Sequence, residues 1–103
     1  MPNPLPQFIC FLTPTREAMP DDPTPEESSA AMAHFNYYKE LHTKGTLILA
    51  GRTQSAPHTG IMIFEADDDH AAQQIVNNDP AIIAGVFNAR IQPYLIALST
   101  LSS

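Results

Sequence analysis

The chain has 103 residues and a mass of 11.3 kDa, which fits a single domain over residues 1–103. It carries 5 Lys and Arg against 11 Asp and Glu, a formal net charge of -6, so a basic face for nucleic acid is not expected. The longest purely apolar run is about five residues, far short of the roughly 20 that cross a bilayer. A soluble protein without nucleic-acid or membrane partners is predicted.

The start of the chain and its cysteine usage favour a cytoplasmic location. Residues 1–6 have neither the positive charge nor the apolar core of a secretory signal. Cys10 is the one cysteine of the sequence, so it has no internal disulfide partner. Its apolar neighbours predict an inert buried thiol, which argues against covalent catalysis.

A strand and a long loop open the chain. Residues 7–12 form an apolar run between proline-rich flanks, which predicts a buried strand. Residues 13–29 then switch to prolines and acidic residues, which predicts an exposed loop. The length of this loop suggests a functional role.

The first helix has well-defined ends in the sequence. Thr24 caps it, Pro25 suits its first position, and Glu27 completes a Thr-x-x-Glu capping box. Gly45 ends it. An i, i+3, i+4, i+7 spacing predicts its buried face, which contains a histidine in an otherwise apolar row: Ala31, His34, Phe35, Tyr38 and Leu41.

The second half of the chain contains three further strands. A turn-rich segment joins the first two, which predicts a hairpin, and Pro93 predicts a bulge or an edge position in the last strand. The predicted elements are strands at 46–52, 60–65 and 86–96, a helix capped by Asp67 or Asp68 and ending at Val76, and a helical turn at 81–84.

The element order predicts an α+β fold of the ferredoxin-like βαββαβ type, with two helices on one face of an antiparallel sheet. The strands have unbroken apolar runs and are therefore apolar on both faces, although the helices cover only one. Because an exposed patch of that size is rare in monomers, we expect a homodimer formed through the uncovered sheet face.

Several short segments, in this order and spacing, resemble the YCII-related family over about nine-tenths of the chain. None is specific by itself. They are Pro14-Thr15-Arg16, His34-Phe35-x-Tyr37-Tyr38, residues 45–52, residues 60–66, Asn78-Asp79-Pro80-Ala81, Ala84-Gly85-Val86 and Ile91-x-Pro93-Tyr94.

The resemblance implies a ferredoxin-like domain paired into a dimeric α+β barrel. It also implies an enzymatic role for a histidine and an aspartate, which map onto His34 and Asp79. One relative of the family eliminates hydrogen chloride from a chlorinated hydroxyhydroquinone, and the wider superfamily includes muconolactone isomerase, so small ring compounds are the implied substrates. This sequence departs from the family at Arg52, where many members have proline, and at residues 58–60.

The chemistry expected of His34 and Asp79 is proton transfer. Both belong to the helical layer of the predicted fold. A carboxylate that accepts one ring N–H fixes the tautomer of the imidazole and leaves its other nitrogen basic. The alternatives remain open: Asp79 before Pro80 is also an ordinary helix cap, and a lone histidine on an apolar face is often a core residue.

Four further residues are candidates for binding a substrate. Arg16 and Arg52 follow or end strands, and either could bind a carboxylate or phenolate, the alternative being a salt bridge to a nearby acid. Tyr37 could offer a hydroxyl at a pocket rim, and Phe87, together with Phe35, could line the pocket. Core packing is the alternative for these aromatic residues.

No metal or nucleotide site is predicted. The four histidines show no ligand spacing with each other or with the carboxylates, and the glycines are too widely separated to form a phosphate-binding loop. These histidines are His34, His42, His58 and His70.

The sequence therefore favours a cofactor-independent lyase or isomerase acting on a small anionic or cyclic organic molecule. In this hypothesis His34 is the general acid and base, Asp79 orients it, and Arg16 or Arg52 contacts an anionic group. The rival hypothesis is a dimeric small-molecule-binding or accessory protein without turnover, and a third possibility is a purely structural role.

Overall fold

The computed structural model describes residues 5–100 and contains four strands and three helices in that range. The strands form one antiparallel sheet in the order β2-β3-β1-β4, the ferredoxin-like arrangement predicted from the sequence. Within these residues no helix is long and apolar enough to span a membrane. The elements are β1 (Gln7–Pro14), α1 (Pro25–Thr43), β2 (Leu47–Arg52), β3 (Gly60–Glu65), α2 (Asp69–Asn77), α3 (Pro80–Ile83) and β4 (Phe87–Tyr94).

The two edge strands differ in detail from the prediction. β4 is an edge strand, as Pro93 indicated, but it ends at Tyr94 and pairs with β1 in an unbroken register in which Pro93 lies opposite Phe8. An edge strand tolerates proline because one side of its backbone needs no ladder partner. The irregularity lies in β2 instead, between Leu47 and Leu49.

The helices pack on one face of the sheet and form the main core there. Alternate residues of β1 and β3 point to this face and pack against Tyr38 and α2. The largest side chains contributed by these two strands are Phe8, Leu12, Met62 and Phe64.

The opposite face of the sheet is also apolar. Ile9 and Ile63 are paired at its centre and are 8% and 7% exposed, whereas Phe11, Ile61 and Leu49 around them are half-buried. The uncovered patch is therefore smaller than the strand pattern suggested, because the two central isoleucines are already buried within one chain.

The capping box of α1 is present as predicted, with Thr24 and Glu27 each bonded to the backbone of the other. The predicted buried face is wrong at one position, since Phe35 is 62% exposed. Consecutive helix residues are about 100° apart, so Phe35 lies well round the helix from His34. The buried side is centred on Ala30, His34 and Tyr38.

A residue with a left-handed backbone conformation follows helix α1, and the requirement for glycine at this position is testable. Gly45 has φ +82°, and a Cβ placed there would meet nothing within 4 Å, so an added side chain costs backbone strain alone. Gly45→Ala should lower the free energy of unfolding by about 1 kcal/mol in urea titrations. Lys44→Ala is the control, because Lys44 is the exposed preceding residue and has φ -79°, in the right-handed region. Equal stability of the two variants would contradict this account.

Candidate active site

His34 and Asp79 meet between α1 and the start of α3. The distance from His34 Nδ1 to Asp79 Oδ2 is 2.7 Å. Because a carboxylate can only accept, Nδ1 carries the proton and donates it. The Asp79 side chain is fully buried, while that of His34 keeps 19% of its exposure. The pair therefore combines a buried anchoring carboxylate with a partly accessible imidazole.

Asp79 performs two tasks with its two oxygens. As the N-cap of α3 it accepts the backbone N–H of Ala81 on Oδ1 at 2.9 Å, while Oδ2 accepts from His34. The two interpretations left open by the sequence, helix cap and histidine partner, both describe this residue. A buried carboxylate with a hydrogen bond on each oxygen is satisfied, which explains how it can be placed there.

Aromatic rings fix the orientation of the His34 imidazole. The Tyr38 ring lies 5.0 Å away and the Phe87 ring 5.3 Å away, measured between centroids. Within residues 5–100 no group forms a hydrogen bond with His34 Nε2, and the ring lines a cleft. The second ring nitrogen is therefore available to a ligand.

The cleft lies between α1 and the helix-covered face of the sheet and has a volume of about 560 Å³. Its floor comes from the strands and is largely apolar, with Leu12 and Met62 at its centre. Two loops form its mouth, the acid-rich loop (residues 15–24) and the β2–β3 loop (residues 53–59). A cleft of this size suits a small organic molecule.

The two predicted anion-binding arginines are in different situations. Arg52 lines the cleft, and no carboxylate within the described residues forms an ion pair with it. Arg16 does not line the cleft; it binds Glu27 through Nε at 2.9 Å and Nη2 at 2.6 Å, and donates to the Asp22 carbonyl. The salt-bridge alternative thus describes Arg16 and leaves Arg52 as the cleft cation.

The predicted aromatic residues also differ in whether they line the cleft. Phe87 and the exposed Phe35 both line the cleft. Tyr37 does not, because its hydroxyl donates to the Ile75 carbonyl at 2.7 Å and its ring packs edge-on against Tyr38. Burial, and then the charge of Asp79, raises the pKa of Tyr37. Tyr37 joins α1 to α2 instead of offering a hydroxyl at the rim.

Sequence reasoning did not select His58, which also lines the cleft. It lies in the β2–β3 loop, with Nε2 3.9 Å from Asp21 Oδ1 in the acid-rich loop. The available signal was the departure from the family pattern at residues 58–60. Local spacing could not reveal this position, because the fold brings the loop to the cleft from a distant part of the chain.

Cys10 lies beneath the site and is fully buried. Burial, and then the charge of Asp79, raises the pKa of its thiol to about 12. The thiolate is therefore scarce near neutral pH, as the apolar surroundings predicted. Among residues 5–100 no group of three or more His, Cys, Asp or Glu side chains could hold a metal ion.

Comparison with known proteins identifies the family. The family model of the YCII-related domain matches residues 7–92. The chain belongs to the YCII-related family. No curated protein matches its sequence.

Two of the solved structures that match this YCII-related protein illustrate its fold. The 5-chloro-2-hydroxyhydroquinone dehydrochlorinase TftG of Burkholderia phenoliruptrix, in complex with 2,5-dihydroxybenzoquinone, has a TM-score of 0.68 and 19% identity, covering 86% of this chain and 93% of that chain. SnoaB of Streptomyces nogalater, a cofactor-independent oxygenase, has a TM-score of 0.52 and 6% identity, covering 97% and 100%. At such low identity the likeness shows the fold alone.

The ion pair at the cleft mouth predicts an acid-dependent stability. The hydrogen bond from Arg16, followed by that from the Thr24 backbone, lowers the pKa of Glu27 from 4.5 to about 2. A depressed carboxylate pKa stabilises the folded state above pH 4.5, and this contribution is lost as the pH falls towards 2. Arg16→Gln should raise the pKa of Glu27 towards 4.5 in a carboxyl NMR titration and flatten the pH dependence of unfolding in that window.

Arg90→Gln is the control for this titration, since Arg90 lies over the Phe11 ring on the other face of the sheet. An unchanged Glu27 pKa in Arg16→Gln would show that the pair is not formed in solution.

Proposed function

We propose that this protein is a cofactor-independent lyase or isomerase that moves a proton on a small anionic or cyclic organic molecule. The observation that carries the proposal is the 2.7 Å bond from His34 Nδ1 to the buried Asp79 carboxylate, at the wall of an open cleft. Asp79 holds the proton on Nδ1, so Nε2 is the basic nitrogen.

Each step assigned to His34 is a proton transfer. Nε2 takes an acidic proton from the bound molecule, and the negative Asp79 stabilises the imidazolium that forms. The imidazolium then returns the proton to a different atom, which completes an isomerisation. In an elimination, the electron pair left behind expels a leaving group with its bonding electrons, and the imidazolium releases its proton to water, which restores the base. Neither sequence consumes an oxidant or a reductant.

The remainder of the cleft supplies binding. Arg52 is the anion contact of the proposal, because its guanidinium has donors for a carboxylate or phenolate and no carboxylate within the described residues occupies them. Phe87 and the apolar floor accommodate a ring. Arg16 and Tyr37 are excluded from direct contact, since both are bonded elsewhere.

The structural neighbours support small-molecule catalysis on this scaffold. TftG is described as a dehydrochlorinase of a chlorinated hydroxyhydroquinone, and SnoaB as a cofactor-independent oxygenase. Dehydrochlorination is an elimination of the type that His34 could assist. The compound bound to TftG, 2,5-dihydroxybenzoquinone, is therefore a suitable first probe.

Two substitutions at the pair test catalysis. His34→Gln keeps a donor for Asp79 but removes the base, and should lower turnover of 5-chloro-2-hydroxyhydroquinone about 100-fold or more. Asp79→Asn can still cap α3 through its amide oxygen, and should lower turnover about tenfold or more by favouring the wrong tautomer. Chloride release measures the rate, and circular dichroism checks the fold.

His42→Gln is the matched control, because His42 is exposed in the last turn of α1 and does not line the cleft. Binding of 2,5-dihydroxybenzoquinone without any turnover would favour the rival hypothesis of a small-molecule-binding protein. Full turnover in His34→Gln would contradict the role of His34 as the base.

We also propose that the protein is a homodimer joined through the sheet face opposite the helices. Phe11, Ile61 and Leu49 remain half-buried there, and no residue of this face belongs to the helix-side core. A second copy would bury these side chains against the same surface of its own chain.

The homodimer is tested by mass. Light scattering should give twice the chain mass of 11.3 kDa for the native protein. Ile61→Glu should convert it to monomer, because the substitution places a charge in the interface. Met32→Glu is the control, since Met32 is 62% exposed on α1. A native protein of single-chain mass would contradict the dimer.

A further inference from the structure

We propose that Arg52 and His58 form an anion subsite at the end of the cleft remote from His34, and that the ligand is a ring acid. Its carboxylate would bind this subsite, while the atom that exchanges a proton lies beside His34 at the other end. The inference rests on the proposed function for the role of His34, and it adds the substrate class and a residue, His58, that sequence reasoning had not selected.

The two ends of the cleft lie over opposite edges of the sheet. His34 packs against Phe87, which lies on the edge strand β4, whereas Arg52 lies on the opposite edge strand β2. Strands β2 and β4 are three inter-strand spacings apart, which corresponds to a backbone separation of about 14 Å. Both His34 and Arg52 line the cleft above this interval, which has the width of one six-membered ring with its substituents.

Arg52 points to the face of the sheet that carries the cleft. It is paired with Gly60, which is paired in turn with Leu12, and directly opposed residues of antiparallel strands share a face. Leu12 is 3% exposed and belongs to the helix-side core. The guanidinium therefore projects on the same side of the sheet as the helices and His34.

The floor between the two ends is flat. Gly60 has no side chain, and a Cβ there would lie 3.5 Å from Leu12 Cβ, in ordinary contact. Ala50 on β2 lies opposite Met62 and adds only a methyl group, and Met62 continues the apolar surface. A planar ring can lie on such a floor, with its polar groups directed to the two ends.

His58 is held in place by the β2–β3 loop. The Thr53 N–H donates to the Thr59 carbonyl at 2.9 Å, and the Thr59 N–H donates to Thr53 Oγ1 at 2.9 Å. The Thr53 and Thr59 hydroxyls both donate to the Pro57 carbonyl, at 3.2 and 3.3 Å. These bonds close the loop on either side of His58, so little ordering is needed when a ligand binds.

The position of Asp21 indicates that the His58 end accepts a carboxylate. Its Oδ1 lies 3.9 Å from His58 Nε2, but Asp21 is 87% exposed, so water screens the pair and a ligand could displace it. Glu27, another carboxylate at the cleft, is occupied by Arg16. An entering anion therefore competes only with the weakly held Asp21 carboxylate, among the cleft carboxylates described, for Arg52 and His58.

A matched pair of probes tests the subsite. 4-Hydroxybenzoate and 4-hydroxybenzamide have the same ring, size and phenolic hydroxyl, and differ in the charge of one end. The native protein should bind the acid about tenfold more tightly than the amide in NMR titrations. Equal affinities, or no binding of the acid at its highest soluble concentration, would overturn the proposal.

Variants assign this preference to residues. Arg52→Gln and His58→Gln should each reduce the acid-to-amide affinity ratio several-fold, and the double variant should bring it close to one. Asp21→Asn should raise the affinity for the acid two- to threefold by removing the competitor. Lys39→Gln and His42→Gln, which alter exposed residues of α1 outside the cleft, should leave the ratio unchanged. A ratio that is unaffected in both Arg52→Gln and His58→Gln would overturn the assignment.

His34→Gln separates this inference from the proposed function. It should weaken the acid and the amide equally, through their shared hydroxyl, and keep the affinity ratio. Loss of turnover in His34→Gln together with a ratio near one in the native protein would leave the proton transfer intact and refute the anion subsite. A retained affinity ratio together with normal turnover in His34→Gln would support the anion subsite and refute the proton transfer by His34.

Discussion

The site depends on the hydrogen bond between His34 and a carboxylate that has no exposure to water. A buried charge is unfavourable unless it is bonded, and Asp79 is bonded at both oxygens, once to His34 and once to the start of α3. The same residue therefore begins a helix and sets the tautomer of an imidazole 45 positions away in the chain. Folding and the proposed chemistry therefore meet at one residue, each through its own carboxylate oxygen.

Much of the fold could be predicted because its signals are local. The capping box at Thr24, the glycine after α1 and the apolar runs of the strands each specify their own element, and element order then restricts the topology. The failures arose where tertiary context decides. Phe35 belongs to the apolar pattern by spacing but lines an open cleft, and the irregularity of β2 between Leu47 and Leu49 had no signal in the sequence pattern.

The candidate site was predictable only in part. His34 and Asp79 were selected by family resemblance and by their positions on the helical layer, and the structure brings them into contact. The roles of Arg16 and Tyr37 could not be decided from the sequence, because their partners lie elsewhere in the chain. Arg16 binds Glu27 and Tyr37 donates to the Ile75 carbonyl, so neither is available to a ligand. The one signal for His58 was the departure from the family pattern at residues 58–60, and its role could not be predicted from spacing, since its loop reaches the cleft through the pairing of β2 with β3.

The tautomer of the His34 ring is the most direct test of this account. A long-range proton–nitrogen NMR spectrum, recorded at a pH where the ring is neutral, distinguishes a proton on Nδ1 from one on Nε2 without any substrate. The account predicts a protonated Nδ1 and a bare Nε2, because the Asp79 carboxylate can only accept. A neutral ring protonated on Nε2 in the native protein would contradict it.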